Sequence, residues 1–109
     1  MANTFKLKTK ANVGVTTVGI YTAPAATTTV VIGITLSNTS GSGVNVGVGI
    51  TRAGTTEDVK LLKNAPIPQG SSLEFMAGNK VVLETTDTLT VDSDTNSSVD
   101  AALTIMEII

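Results

Sequence analysis

Apolar and polar positions alternate with a period of two along most of the chain, and helical spacing is almost absent. Between Thr28 and Asn38, Val30, Ile32, Ile34 and Leu36 share one parity, and Thr29, Val31, Gly33, Thr35 and Ser37 share the other. In a pleated strand parity is a face, so the segment predicts a half-buried strand with the first set inside. The next run repeats the pattern, with Val44, Val46, Val48 and Ile50 against Asn45, Gly47, Gly49 and Thr51. Asn38 to Gly43, a cluster of turn-forming residues, separates the two runs, and the pair predicts a hairpin.

Shorter runs follow the same rule. Thr16 to Tyr21, Asp58 to Asn64, Ser72 to Phe75, Lys80 to Leu83, Thr88 to Val91 and Ala101 to Ile108 predict further strands. A first strand from Thr4 would put Phe5 and Leu7 inward and Lys6 and Lys8 outward. Thr and Val, both β-branched, dominate these runs and suit a pleated surface. About seven to nine short strands with turn signals every ~8–12 residues predict an all-β fold, a single antiparallel β-sandwich. Jelly-roll and immunoglobulin-like connections both remain open, because alternation does not set strand order. Residues 1–12 are expected to form an N-terminal arm or edge strand and residues 13–109 the sandwich. Val30, Ile32, Ile34, Leu36, Val46, Val48, Leu61, Leu73, Phe75, Leu83, Leu89, Leu103 and Ile105 are the expected core.

Composition narrows the chemistry. The 109 residues include no Cys, no His and no Trp, and Arg52 is the one arginine. Without Cys there are no disulfides, thiolate nucleophiles or cysteine-based metal sites. Without His the commonest proton-transfer group at neutral pH is missing. No catalytic residue, cofactor site or metal site is therefore assigned, and the chain is expected not to be an enzyme. The net charge of −2 argues against nucleic acid, which calls for a basic field. No run approaches the ~18–20 apolar residues of a membrane-spanning helix, and no apolar segment of a secretory signal follows the N-terminal lysines.

A few motifs allow two readings. Asp92-Ser93-Asp94-Thr95-Asn96 opens like a calcium loop, but Ser97 stands where the loop needs Gly and Leu103 where it needs Glu. A solvated acidic turn is the simpler reading. Carboxylate pairs such as Asp92 and Asp94, or Glu84 and Asp87, would be poor acid–base partners on one solvated turn. Pro66-Ile67-Pro68-Gln69-Gly70 fits a fixed crossover, and a proline-rich ligand is the alternative. Tyr21, before Pro24, is expected at a sandwich corner with its hydroxyl paired. Gly47 and Gly49 lie on one strand face, either as a bare outer surface or as a place where another subunit's backbone comes close. Lys6, Lys8 and Lys10 share a parity beside Phe5. They either protect an edge strand or let the segment dock on an acidic neighbour. Phe5, Lys6, Lys8, Lys10, Gly47 and Gly49 are thus the candidate partner contacts.

Four pieces of sequence resemble the small virion structural proteins of tailed bacteriophages. They are Tyr21-Thr22-Ala23-Pro24 with Thr27 to Ile34 and Asn38-Thr39-Ser40; Leu61 to Leu73; Lys80-Val81-Val82-Leu83-Glu84 with Asp87; and Leu103-Thr104-Ile105-Met106-Glu107-Ile108. Together they cover most of the chain from Thr16 onward. The resemblance implies a small β-sandwich in the phage particle, made in the bacterial cytoplasm, and it carries no catalytic residue. It points first to a capsid decoration or cement protein that contacts the major capsid protein or other virion proteins. Such a protein is expected to be a homo-oligomer, with a trimer as the guess. The alternatives are a neck or tail component (adaptor, collar or fibre base) and a surface-binding module displayed on the virion.

Overall fold

Nine strands and no helix form among the described residues of the computed structural model, which are residues 3–52, 54, 57–75 and 80–109, with Phe75 described by its backbone only. They are β1 (Asn3–Val13), β2 (Val18–Thr22), β3 (Thr28–Asn38), β4 (Val44–Arg52), β5 (Glu57–Ile67), β6 (Ser72–Phe75), β7 (Val81–Leu83), β8 (Thr88–Ser93) and β9 (Val99–Ile108). One sheet runs β1-β9-β3-β6, with β7 also on β3; the other runs β2-β8-β4-β5. All pairings are antiparallel. β6 and β7 lie end to end along the same edge of β3, so together they act as one interrupted strand. Eight strands in two four-membered sheets, with the chain switching sheets at nearly every link, define a jelly roll rather than an immunoglobulin-like sandwich.

The expected hairpin between β3 and β4 is corrected by this topology. The two strands belong to opposite sheets, and β4 pairs instead with β5 and β8. Alternation marked both strands correctly but says nothing about partners: each buries its apolar face across the sandwich. Asn38 fixes the crossing. Its side-chain amide donates to Ser42 O (2.8 Å) and Ile67 O (3.0 Å), and its Oδ1 accepts from Ser40 N (2.9 Å) and Ser40 Oγ (2.8 Å). A buried amide with every such bond made contributes, where an unpaired one would cost.

Bulges decide which residues face inward. In β3 the register against β9 shifts between Val31 and Gly33. An extra residue on one strand reverses the facing of everything beyond it. Thr29 and Val31 therefore point inward before the bulge, and Ile34, Leu36 and Asn38 after it. The expected inward Val30 and Ile32 are the residues this overturns: they lie on the outer face and are only half-buried. Val46, Val48, Leu83, Leu89, Leu103 and Ile105 are buried as expected. Leu61 and Leu73 are partly buried against the core, and the side chain of Phe75 lies outside the described residues.

β5 is longer than its sequence suggests. It takes in Pro66, expected in the crossover, as its position at the sheet edge leaves a missing N–H without consequence. The crossover itself is Pro68 to Ser71, closed by Ser71 N on Pro68 O (3.1 Å), with Gly70 at φ 73°.

Candidate interaction surface

β1 forms the free edge of its sheet, paired on one side only, with β9. Its register sets Lys6, Lys8 and Lys10 opposite Ile105, Leu103 and Ala101, which are core-facing, and Phe5 and Leu7 opposite Met106 and Thr104, which are not. The expected facing of β1 is thus reversed. The lysines take the inner parity at the rim, where their long stems reach solvent, and Phe5 and Leu7 stand outside, 69% and 65% exposed.

The reversal has a local cause in Glu107, which lies on the inner face of β9 and is buried. Lys6 Nζ is 2.9 Å from Glu107 Oε1, and the Tyr21 hydroxyl donates to Glu107 Oε2 at 2.6 Å. The same hydroxyl shares a 2.8 Å hydrogen bond with Thr29 Oγ1. The cluster joins β1, β2, β3 and β9 and so ties both sheets to the edge strand. Burial first, and then the Glu107 carboxylate, push Tyr21 up from 10.0 to about 12. The Tyr21 hydroxyl first, and then Lys6, hold Glu107 below the usual carboxylate range. The pairing expected for Tyr21 is met, with partners that the spacing of the sequence did not reveal. Lys8 Nζ lies 6.0 Å from the centre of the Tyr21 ring, and Lys10 is exposed.

Gly47 and Gly49 are buried by the chain itself. A Cβ on Gly47 would meet Asp92 Oδ1 at 2.5 Å, and one on Gly49 would meet Val59 O at 2.9 Å. The close backbone approach that the sequence suggested is made by β5 of the same chain, whose register against β4 shifts twice over this stretch.

The carboxylates singled out in sequence are committed to structural bonds. Asp92 Oδ2 accepts from Thr17 Oγ1 (3.1 Å), and Asp94 Oδ1 accepts from Asn45 N (3.1 Å). Asp87 is buried, accepts from Glu84 N (3.0 Å) and pairs in charge with Arg52 Nε at 3.1 Å, without hydrogen-bond alignment. Arg52 Nη2 reaches Glu84 at 2.8 Å. Among the described residues no three acidic side chains are grouped to hold a metal ion.

No protein-family model and no curated protein matches the chain. Solved structures do share its fold. A protein in the acid-stable capsid of the Helicobacter pylori bacteriophage KHP30 matches all of this chain and 89% of its own, at 9% identity and a TM-score of 0.60. A subunit of Bacillus endospore appendages, described as disulfide-linked pili, matches 97% of this chain and 85% of its own, at 15% identity and a TM-score of 0.56. A protein of the infectious bursal disease virus VP2 subviral particle matches 96% of this chain but 32% of its own, at 12% identity and a TM-score of 0.58. The chain is thus an all-β jelly-roll sandwich, a fold that it has in common with subunits of viral shells and of a pilus.

Proposed function

We propose that this chain is a non-enzymatic structural protein of a bacteriophage particle, and within the particle a decoration or cement protein of the head shell. The observation that carries the reading is the end-to-end match of its jelly roll to a phage capsid protein. The pilus subunit is the competing comparison, but its disulfide linkage has no counterpart here, since the chain has no cysteine. The stripped chemistry and the engagement of the acidic residues in structural bonds support a role without catalysis. Many copies would bind the assembled shell and stabilise it by mass action, since they bind that state in preference to the loosened one. The contact is assigned to the β1 edge, where Lys8 and Lys10 at the rim would receive an acidic or strand-bearing neighbour. Lys6 serves the fold through Glu107. Gly47 and Gly49 are covered and take no part.

Quantitative mass spectrometry of purified particles tests the proposal. A simple ratio to the major capsid protein, such as one or one third, supports decoration of the shell. A handful to a few dozen copies moves the protein to the neck or tail, and absence from particles refutes a virion role. Removal of β1 would uncover β9 and Glu107, and Lys8 lies over Tyr21, so the edge is better tested by Lys10→Glu at an exposed position. This change should lower occupancy on the particle while the melting temperature holds.

A further inference from the structure

The register places an apolar row across the outer face of the first sheet. Phe5 pairs with Met106, Met106 with Val30, and Val30 with Val82, so one side chain from each of β1, β9, β3 and β7 lies in line. Phe5 is 69% and Val82 54% exposed. Leu7 and Ile108 extend the row along β1 and β9. A second row lies further along the strands: Thr9, Ala102, Thr35 and Glu74. The strand positions of this face carry no lysine or arginine, and their carboxylates, Glu74 and Asp100, lie away from the apolar row. Apolar content with few charges is the mark of an interface centre rather than of a solvated sheet face.

We propose that this face binds the same face of a second copy about a two-fold axis that runs along the strands between the two sheets. Such an axis reverses the strand order in the facing copy. Phe5, the largest member of the row, then meets Val82, and Met106 meets Val30, so each larger side chain faces a valine. The contact is self-complementary, as a two-fold interface requires. In the second row Glu74 comes to face Thr9, and Ala102 faces Thr35, so no like charges meet across the contact. Stacked sheets lie ~10 Å apart with strands roughly aligned, a geometry common to sheet packing. Size agrees as well. Four strands ~4.8 Å apart and about ten residues long give a face of roughly 600 Å². Two such faces bury about 1,200 Å², the lower end of the range for stable specific interfaces.

The inference does not depend on where the protein resides, because the contact is between copies in solution. Its test is mass by analytical ultracentrifugation across a dilution series, with cross-linking. The chain should sediment at twice 11.1 kDa. Val30→Lys should convert it to monomer with an unchanged circular dichroism spectrum, and Lys63→Glu on the other sheet should leave the dimer intact. Since the chain has no cysteine, Phe5→Cys and Val82→Cys each introduce a single thiol. A bis-maleimide reaching about 10 Å spans two stacked sheets. Mixed Phe5→Cys and Val82→Cys chains should cross-link at least tenfold more than either alone. A monomer at all concentrations, a trimer, a dimer that survives Val30→Lys, or cross-linking of Phe5→Cys to itself would overturn the proposal. A monomer that binds empty capsids and loses them with Val30→Lys would also overturn it, by making the shell the occupant.

Discussion

Replacing Glu107 by Gln keeps the shape of the side chain and removes its charge, which makes it the sharpest probe of the cluster that holds the edge strand. In the native protein the carboxylate accepts the Tyr21 hydroxyl at 2.6 Å and pairs with Lys6 at 2.9 Å. A hydrogen bond to a charged group contributes about 1.5–3 kcal/mol. Gln can still accept from Tyr21, and Lys6, 44% exposed, regains water when the pair is lost. The expected loss is therefore about 2 kcal/mol, below the 3–5 kcal/mol for breaking a fully buried pair. At ~4–8 °C per kcal/mol for a domain of this size, the melting temperature should fall by roughly 10 °C at neutral pH. The pH dependence has a definite sign. Glu107 titrates below its ordinary 4.5 in the folded state, so its contribution is present above that value and is lost as pH falls through the folded value. Wild type and Glu107→Gln should converge in urea midpoint at acid pH and diverge at neutral pH. Tyr21 supplies an independent reading, because the chain has one tyrosine and no tryptophan. Its folded value is raised to about 12, so its contribution is complete below 10.0 and is lost as pH rises toward 12. Tyrosinate absorbance, followed while the far-ultraviolet spectrum stays native, should show a midpoint near 12 in the wild type and a lower one in Glu107→Gln. Burial, the larger cause, should keep that variant above 10.0. A wild-type midpoint of 10.0, or equal stability of the two proteins at neutral pH, would refute the buried cluster.

Leu103→Ala, in the fully buried centre of β9, should cost about 2–5 kcal/mol in urea unfolding, the transfer loss plus the cavity it leaves. Gly49→Ala should lower stability by about 1–3 kcal/mol, because the new Cβ would press on the Val59 carbonyl at 2.9 Å. Gly33→Ala, with no atom within 4 Å of the new Cβ, should stay within about 0.5 kcal/mol of wild type, so equal effects would contradict the packing around β4. Asn38→Ala should cost about 1–3 kcal/mol by leaving the Ile67 and Ser42 carbonyls without their donor, and an unchanged melting temperature would remove the crossing clamp from the account.

The amino-acid sequence by itself determined the fold class and nearly every strand. Period-two alternation of β-branched residues reports half-burial directly, and Gly, Pro and Asn mark the ends of strands through local backbone preferences. It also bounded the chemistry, since a chain without His or Cys lacks those groups in any fold. Tertiary structure decided the rest. Whether Val44–Arg52 pairs with its predecessor depends on contacts between distant segments, and alternation is the same for a hairpin and for two strands facing across a sandwich. One extra residue at Ile32 moved Val30 and Ile32 to the outer face, and no local preference announces such a bulge. The inversion of β1 was hidden for a similar reason. Lys6 turns inward at the rim toward a buried acid, and that acid, Glu107, lies about a hundred positions further along the chain. The apolar row from Phe5 to Val82 exists in no stretch of sequence, because four separate strands contribute one residue each and only the sheet register brings them into line.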